Sequence, residues 1–103
     1  MRTRAKVGRF DPYPGNLSAG EQLEIVLSRL PLTRSEARVA LHLPLGFEDS
    51  EIAQHLGISL STAKAHVARA ILRLQQQNRS GVAGCIVAAL WAGELEAERR
   101  SGR

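Results

Sequence analysis

The chain has 103 residues, enough for one modest hydrophobic core and too few for two. Apolar residues make up 44% of it and aromatics only 4%, so the core is expected to be Ala, Leu, Val and Ile on helices, with strands disfavoured. A formal net charge of +4 and a pI of about 10.2 favour an anionic partner, nucleic acid ahead of a membrane surface.

Residues 1–17 carry Arg2, Arg4, Lys6 and Arg9, then Pro12, Pro14 and Gly15, and show neither helical nor alternating apolar period. They are expected to form a flexible basic arm. The N-terminal stretch is basic but leads into no apolar h-region with a small-residue cleavage site, so it does not resemble a secretory signal. At Ser18 a helix signal begins. Ser18 and Glu21 have the form of a capping box, and Leu23, Val26, Leu27 and Leu30 follow at i, i+3, i+4 and i+7. A cap of this kind is worth about 1 kcal/mol. Pro31 stops the helix, which gives an extra element over 18–31.

Thr33 and Glu36 repeat the capping pattern, with Ala37, Val39, Ala40, Leu41 and Leu43 as the apolar face and Pro44 and Gly46 as terminators. Asp49 or Ser50 then caps a helix whose inner face is Ile52, Ala53 and Leu56, and Gly57 is suited to a left-handed end. Ser59 caps a long helix from Leu60 to about Leu74. At 100° per residue Ala63, Val67, Ala70, Ile71 and Leu74 converge on a core face. Ser61, Ala65, Ala68 and Leu72 lie opposite, flanked by Lys64 on one side and by Arg69 and Arg73 on the other. No acid occurs between Glu51 and Glu94. A narrow ridge of small residues with basic flanks is suited to lie between two phosphate strands.

Asn78 or Ser80 caps a last helix expected to reach about Leu95. Gly81, Cys85 and Ala89 recur every fourth residue, with Gly84, Ala88 and Ala92 on a neighbouring line, and Val82, Ile86, Leu90 and Trp91 add apolar contact. A helix apolar around most of its circumference needs more burial than one neighbour supplies, so Gly81, Cys85, Ala89 and Trp91 are expected at a dimer interface. Residues 96–103 mix both charges and are expected to fray. The uncharged run from Val82 to Gly93 falls short of the roughly 20 residues that span a bilayer, so no membrane helix is expected. Cys85, the single cysteine, has no internal disulfide partner, which makes a reducing cytoplasm the expected location.

From Leu32 to about Leu90 the sequence resembles the LuxR-type (GerE-like) helix-turn-helix domain of bacterial transcription regulators. The matching residues are Leu32, Thr33 and Glu36 at its start, Gly46 after its first helix, and Glu51, Ile52, Ala53, Leu56, Ile58 and Ser59 through its turn. Thr62, Ala63, Lys64 and His66, then Arg73, Leu74 and Arg79, continue the pattern. The resemblance implies an all-α fold: a four-helix domain over 32–95 with one extra N-terminal helix. It implies a DNA-binding transcription regulator that docks residues 60–74 in the major groove of double-stranded DNA, with Lys64, Ala65 and Ala68 facing base edges. Ser61, Thr62, Arg69 and Arg73 would lie near phosphates, and the last helix would make a homodimer.

Three departures qualify that reading. Pro44 interrupts a helix that usually runs on, Ala63 replaces the usual Val, and Ala65, Ala68 and Leu72 leave the reading face almost without hydrogen-bonding groups. Phosphate contacts and DNA shape are therefore expected to outweigh direct base readout. The stretch LSRLPLTRSEARVAL is also similar to sigma-factor region 4, although His66, Arg79 and the last helix argue against that assignment. A protein-binding antagonist of another transcription regulator is the reading from a different class, and RNA polymerase is a further candidate partner.

Other clusters carry less. His42, His55, His66 and Cys85 match no zinc spacing and fall on different predicted helices, so no metal is expected. Glu48, Asp49 and Glu51 sit in a helix's first turn, where the dipole favours acids. No catalytic constellation or cofactor motif stands out, and the chain is not expected to be an enzyme.

Overall fold

The computed structural model describes residues 11–101, which form five helices and no strand among them: α1 (Ala19–Arg29), α2 (Arg34–Ala40), α3 (Asp49–Leu56), α4 (Leu60–Arg73) and α5 (Arg79–Arg100). This is the expected all-α arrangement with an extra first helix. Four N-termini are set by side chains. Ser18 with Glu21 and Thr33 with Glu36 close reciprocal capping boxes, while Ser59 accepts the Thr62 N–H and Asn78 the Gly81 N–H. At α3 the cap falls at Glu48, before either expected residue, Asp49 or Ser50. Glu48 occupies it because the Glu51 carboxylate reaches back 2.8 Å to the Glu48 N–H.

Helix α2 ends at Ala40, well before Pro44. From His42 onward the N–H groups bond three residues back, to Val39 and Ala40, and the turn closes at Gly46 with φ 87°. The core lies where α4 packs on α2 and α3 while α5 covers α1, α2 and α4. Ala37, Ala40, Ala63 and Ala70 are fully buried, so the helices approach closely there, and Val26, Ile52, Val82, Ile86 and Leu90 fill the volume between them. Gly93 marks a close approach of α5 to α1, since a Cβ there would stand 2.7 Å from the Ile25 Cγ2.

Two terminal expectations change. Of the arm expected over 1–17, residues 1–10 with Arg2, Arg4, Lys6 and Arg9 lie outside the described residues, but 11–17 are packed on the domain. Tyr13 is buried and donates its hydroxyl 2.5 Å to the Leu41 carbonyl, and the Trp91 indole N–H reaches the Pro12 carbonyl at 2.8 Å. Those partners lie 28 and 79 residues away in sequence, beyond any local period. At the other end α5 runs to Arg100 instead of fraying after Leu95. Glu96 pairs with Arg29 of α1 and, one turn on, with Arg100.

By length and composition α5 is also apolar enough to cross a membrane, because the helix extends past the uncharged run. Its Val82, Ile86 and Leu90 are fully buried against the other helices, while 22% of the apolar window as a whole is buried.

Candidate nucleic-acid interface

Between α3 and α4 the chain turns within three residues. Gly57 takes the left-handed conformation at φ 69°, and the Ile58 N–H returns to the Ala53 carbonyl at 3.0 Å. Ser59 then starts α4. Its hydroxyl accepts the Thr62 N–H at 3.0 Å and lies 2.8 Å from the Thr62 Oγ1 and 3.2 Å from the Ser61 Oγ. Three hydroxyls thus crowd the N-terminus of a 14-residue helix.

Helix α4 divides as its sequence predicts. Ala63, Val67 and Ala70 are buried, with Ile71 and Leu74 partly covered. Ser61, Thr62, Lys64, Ala68 and Arg69 are exposed and Ala65 is half-buried. Among the described residues no carboxylate pairs with Lys64 or Arg69. Leu72 stands on the same outward surface and is 76% exposed, an unusual value for a leucine.

Arg73 behaves differently from the other basic residues of α4. Its Nε lies 2.8 Å from Oε1 of Glu36, whose side chain is only 2% exposed. Burial works against the Glu36 charge, but the Thr33 N–H and the Arg73 guanidinium hold the carboxyl below its ordinary range. Glu36 therefore joins two tasks, capping α2 and anchoring the C-terminal turn of α4. Sequence reasoning found the first and missed the second, since nothing local pairs residues 36 and 73. Arg79 plays a comparable part at α5: its guanidinium bonds Asp49 at 2.8 Å and the Phe47 carbonyl at 3.2 Å, which ties the start of α5 to the start of α3.

His66 is half-buried, and its Nδ1 is enclosed without a hydrogen-bond partner among the described residues. That position suits packing better than a phosphate contact. His42 and His55, placed on separate helices by the sequence, meet in space with His42 Nε2 and His55 Nδ1 2.8 Å apart. The His42 Nδ1 faces the Arg38 carbonyl at 2.8 Å, so Nδ1 carries the proton and Nε2 accepts from His55. Burial lowers the basicity of His42 below its ordinary value. Among the described residues no three His, Cys, Asp or Glu side chains converge as a metal site.

The proposed dimer residues are dispersed. Ala89 is buried within the domain, Gly81 faces the Gln76 side chain and Cys85 is half-buried. The outward line of α5 is instead Ser80, Gly84, Ala88, Trp91 and Leu95, with Trp91 and Leu95 about half exposed. It includes Gly84 and Ala88 of the neighbouring small-residue line read from the sequence, while Ala92 is half-buried. The face was ambiguous because a helix apolar on most sides carries little directional signal.

A capped helix, a tight left-handed corner at Gly57 and a second helix with one buried and one basic face form a helix-turn-helix unit. Residues 30–85, more than half of the chain, match the family model described as bacterial regulatory proteins, luxR family (GerE). The chain belongs to the LuxR family. No curated protein and no solved structure gives a match. Membership in the LuxR family makes the chain a DNA-binding helix-turn-helix regulator in general terms, and α1 lies outside the matched region.

Proposed function

We propose that this LuxR-type domain regulates transcription in the cytoplasm as a homodimer, with α4 of each copy in the major groove of double-stranded DNA. The observation that carries the reading is the exposed face of α4, where Lys64 and Arg69 stand without acidic partners among the described residues, beside the Ser61 and Thr62 hydroxyls. Ser61, Thr62 and Arg69 serve the phosphates, and hydrogen bonds to base edges come from Lys64 or a flanking arginine. Ala65 and Ala68 approach the bases, where alanine's usual contact is a thymine methyl. Arg73 supports the phosphate side from its seat on Glu36, with its Nε already engaged. The dimer contact is the outward line of α5 through Gly84, Ala88 and Trp91.

The test is binding to labelled genomic fragments over a salt series. Affinity should fall steeply with salt, and Lys64→Ala or Arg69→Ala should each reduce the slope by about 1 and weaken binding to all sequences, with Lys64→Ala also blurring preference. Wild-type protein with no salt-dependent DNA affinity would remove this reading. A second one, an antagonist that binds another regulator, is favoured by Leu72, whose exposed side chain on the reading face suits protein better than DNA. Under it, Leu72→Lys abolishes capture of the partner regulator, while on the DNA reading the same change raises affinity.

A further inference from the structure

An open groove of about 980 Å3 lies between α1, α2 with its following turn, and α3. Its walls are hydrocarbon: Leu23 from α1, Leu41, Leu45 and Phe47 from the turn, and Leu56 at the end of α3. The charged groups on it are mostly cationic. Arg34 and Arg38 line it, and the single acid among the lining residues, Asp11, is engaged by the Tyr13 N–H. Among the described residues Arg34 pairs with Glu24 alone, at 3.5 Å with both side chains 60% or more exposed. Arg38 has no carboxylate partner among the described residues. The two imidazoles on the wall, His42 and His55, are bonded to each other, so the arginines remain as the groove's anion anchors.

Apolar walls with under-compensated guanidinium groups are complementary to a molecule with a hydrocarbon body and one anionic end, and the volume falls within the range of small-molecule sites. Guanidinium also matches the planar fork of a carboxylate. We propose that this groove binds a small amphipathic monocarboxylate, its hydrocarbon body against Leu23, Leu45 and Phe47 and its carboxylate on Arg38 with Arg34 beside it. The groove is built in part by α1 and so draws on a helix outside the matched family region. Its occupant would bridge α1 to α3, the first helix of the helix-turn-helix.

Decanoate and decanol, titrated separately into the 15N-labelled full chain, test the proposal without DNA, so the result is independent of the interface reading. Decanoate should shift the amides of Leu23, Leu45, Phe47 and Leu56 with saturable dissociation constants, and decanol should bind about tenfold or more weakly. Arg38 is exposed, so Arg38→Gln should fold as the wild type and bind decanoate about tenfold more weakly. Ala19→Trp, which places a ring at an exposed position on the groove's edge, should block binding. Equal binding of decanoate and decanol, shifts centred away from the groove, or no shift at millimolar decanoate would each overturn the assignment. The comparison of the two ligands on wild-type protein decides it even if a variant fails to fold.

Discussion

Arg73 and Glu36 form the ion pair that joins the end of α4 to the start of α2, with the carboxylate buried and the guanidinium half in water. Removing either partner leaves a different residue of the problem. Arg73→Ala leaves the Glu36 charge enclosed, with the Thr33 N–H and hydroxyl to hold it, and should lower stability by about 1–3 kcal/mol, below the full cost of a wholly buried pair because Arg73 is 47% exposed. Glu36→Gln should cost less, since the amide still reaches back to the cap. In both, urea midpoints should drop while DNA affinity of the folded fraction falls less than in Lys64→Ala. The folded Glu36 carboxyl titrates below its ordinary value of 4.5, so its contribution is full above that pH and is lost as pH falls through the folded value. Glu36→Gln should therefore flatten the acid limb of stability below about pH 4.5.

His42 acts in a separate window. Burial favours its neutral form in the folded chain, and the nearby positive charges of His55 and Arg38 push the same way, against the carbonyls of Arg38 and Val39. The unfolded chain therefore binds the proton first as pH drops below the ordinary 6.5, and the stability that His42 provides is full above that pH and declines beneath it. Urea midpoints should fall between pH 7 and pH 5, and His42→Gln should remove most of that slope. A slope unchanged in the variant would place its origin elsewhere.

Gln75 is the non-glycine residue with positive φ among those described, at 55°. It stands where α4 ends in a Schellman motif, with the Gln76 N–H bonded to the Ile71 carbonyl and the Gln75 N–H to Leu72. Gly57 takes the corresponding conformation after α3 without a Cβ to strain. Gln75→Gly should thus stabilise the domain by roughly 0.5–1 kcal/mol, raising the thermal midpoint by several degrees for a chain of this length. An unchanged or lower midpoint would mean that the glutamine side chain compensates the strain.

Local signals made most of the helical frame legible in the sequence. The Ser18, Thr33 and Ser59 caps, the Gly57 corner and the buried line Ala63, Val67, Ala70 are all readable within a window of a few residues. What escaped depends on distant partners. Tyr13 looks like part of a Pro/Gly-rich tail until the Leu41 carbonyl is placed beside it, and Glu96 looks like a frayed end until Arg29 is. For the candidate interface, the exposed side of α4 followed from 3.6-residue periodicity, but the diversion of Arg73 to Glu36 did not. On α5 the sequence favoured the Gly81, Cys85, Ala89 line with Trp91, and of these Trp91 is exposed while Ala89 is buried; Gly84 and Ala88 of the second line are the small residues that face outward.

Tyr13 offers a direct spectroscopic check on the docked 11–17 segment, because it is the single tyrosine of the chain. Burial, aided by the Asp11 charge, raises its phenol well above the ordinary value of 10. Absorbance at 295 nm should show no phenolate through pH 11 while the far-ultraviolet circular dichroism remains native. Ionisation near pH 10 in folded protein would mean that the segment is undocked. Tyr13→Phe removes the hydroxyl that satisfies Leu41 and should cost about 1 kcal/mol.

The homodimer proposal now points to a different substitution from the one that the sequence favoured. Gly81 faces Gln76, and Ala89 is buried, so arginine at either position disturbs the fold of one copy. Ala88 is exposed on the line between Gly84 and Trp91, where an arginine leaves the monomer intact but places two charges across a symmetric contact. Ala88→Arg should therefore sediment as a monomer with unchanged circular dichroism, and its affinity for a two-half-site DNA fragment should fall toward that for a single half-site. The wild-type mass persisting in Ala88→Arg at equal concentration would exclude α5 as the contact. Trp91 fluorescence supplies the complementary reading: the indole is 46% exposed in a single copy, so dilution of the wild type through its dissociation range should red-shift the emission.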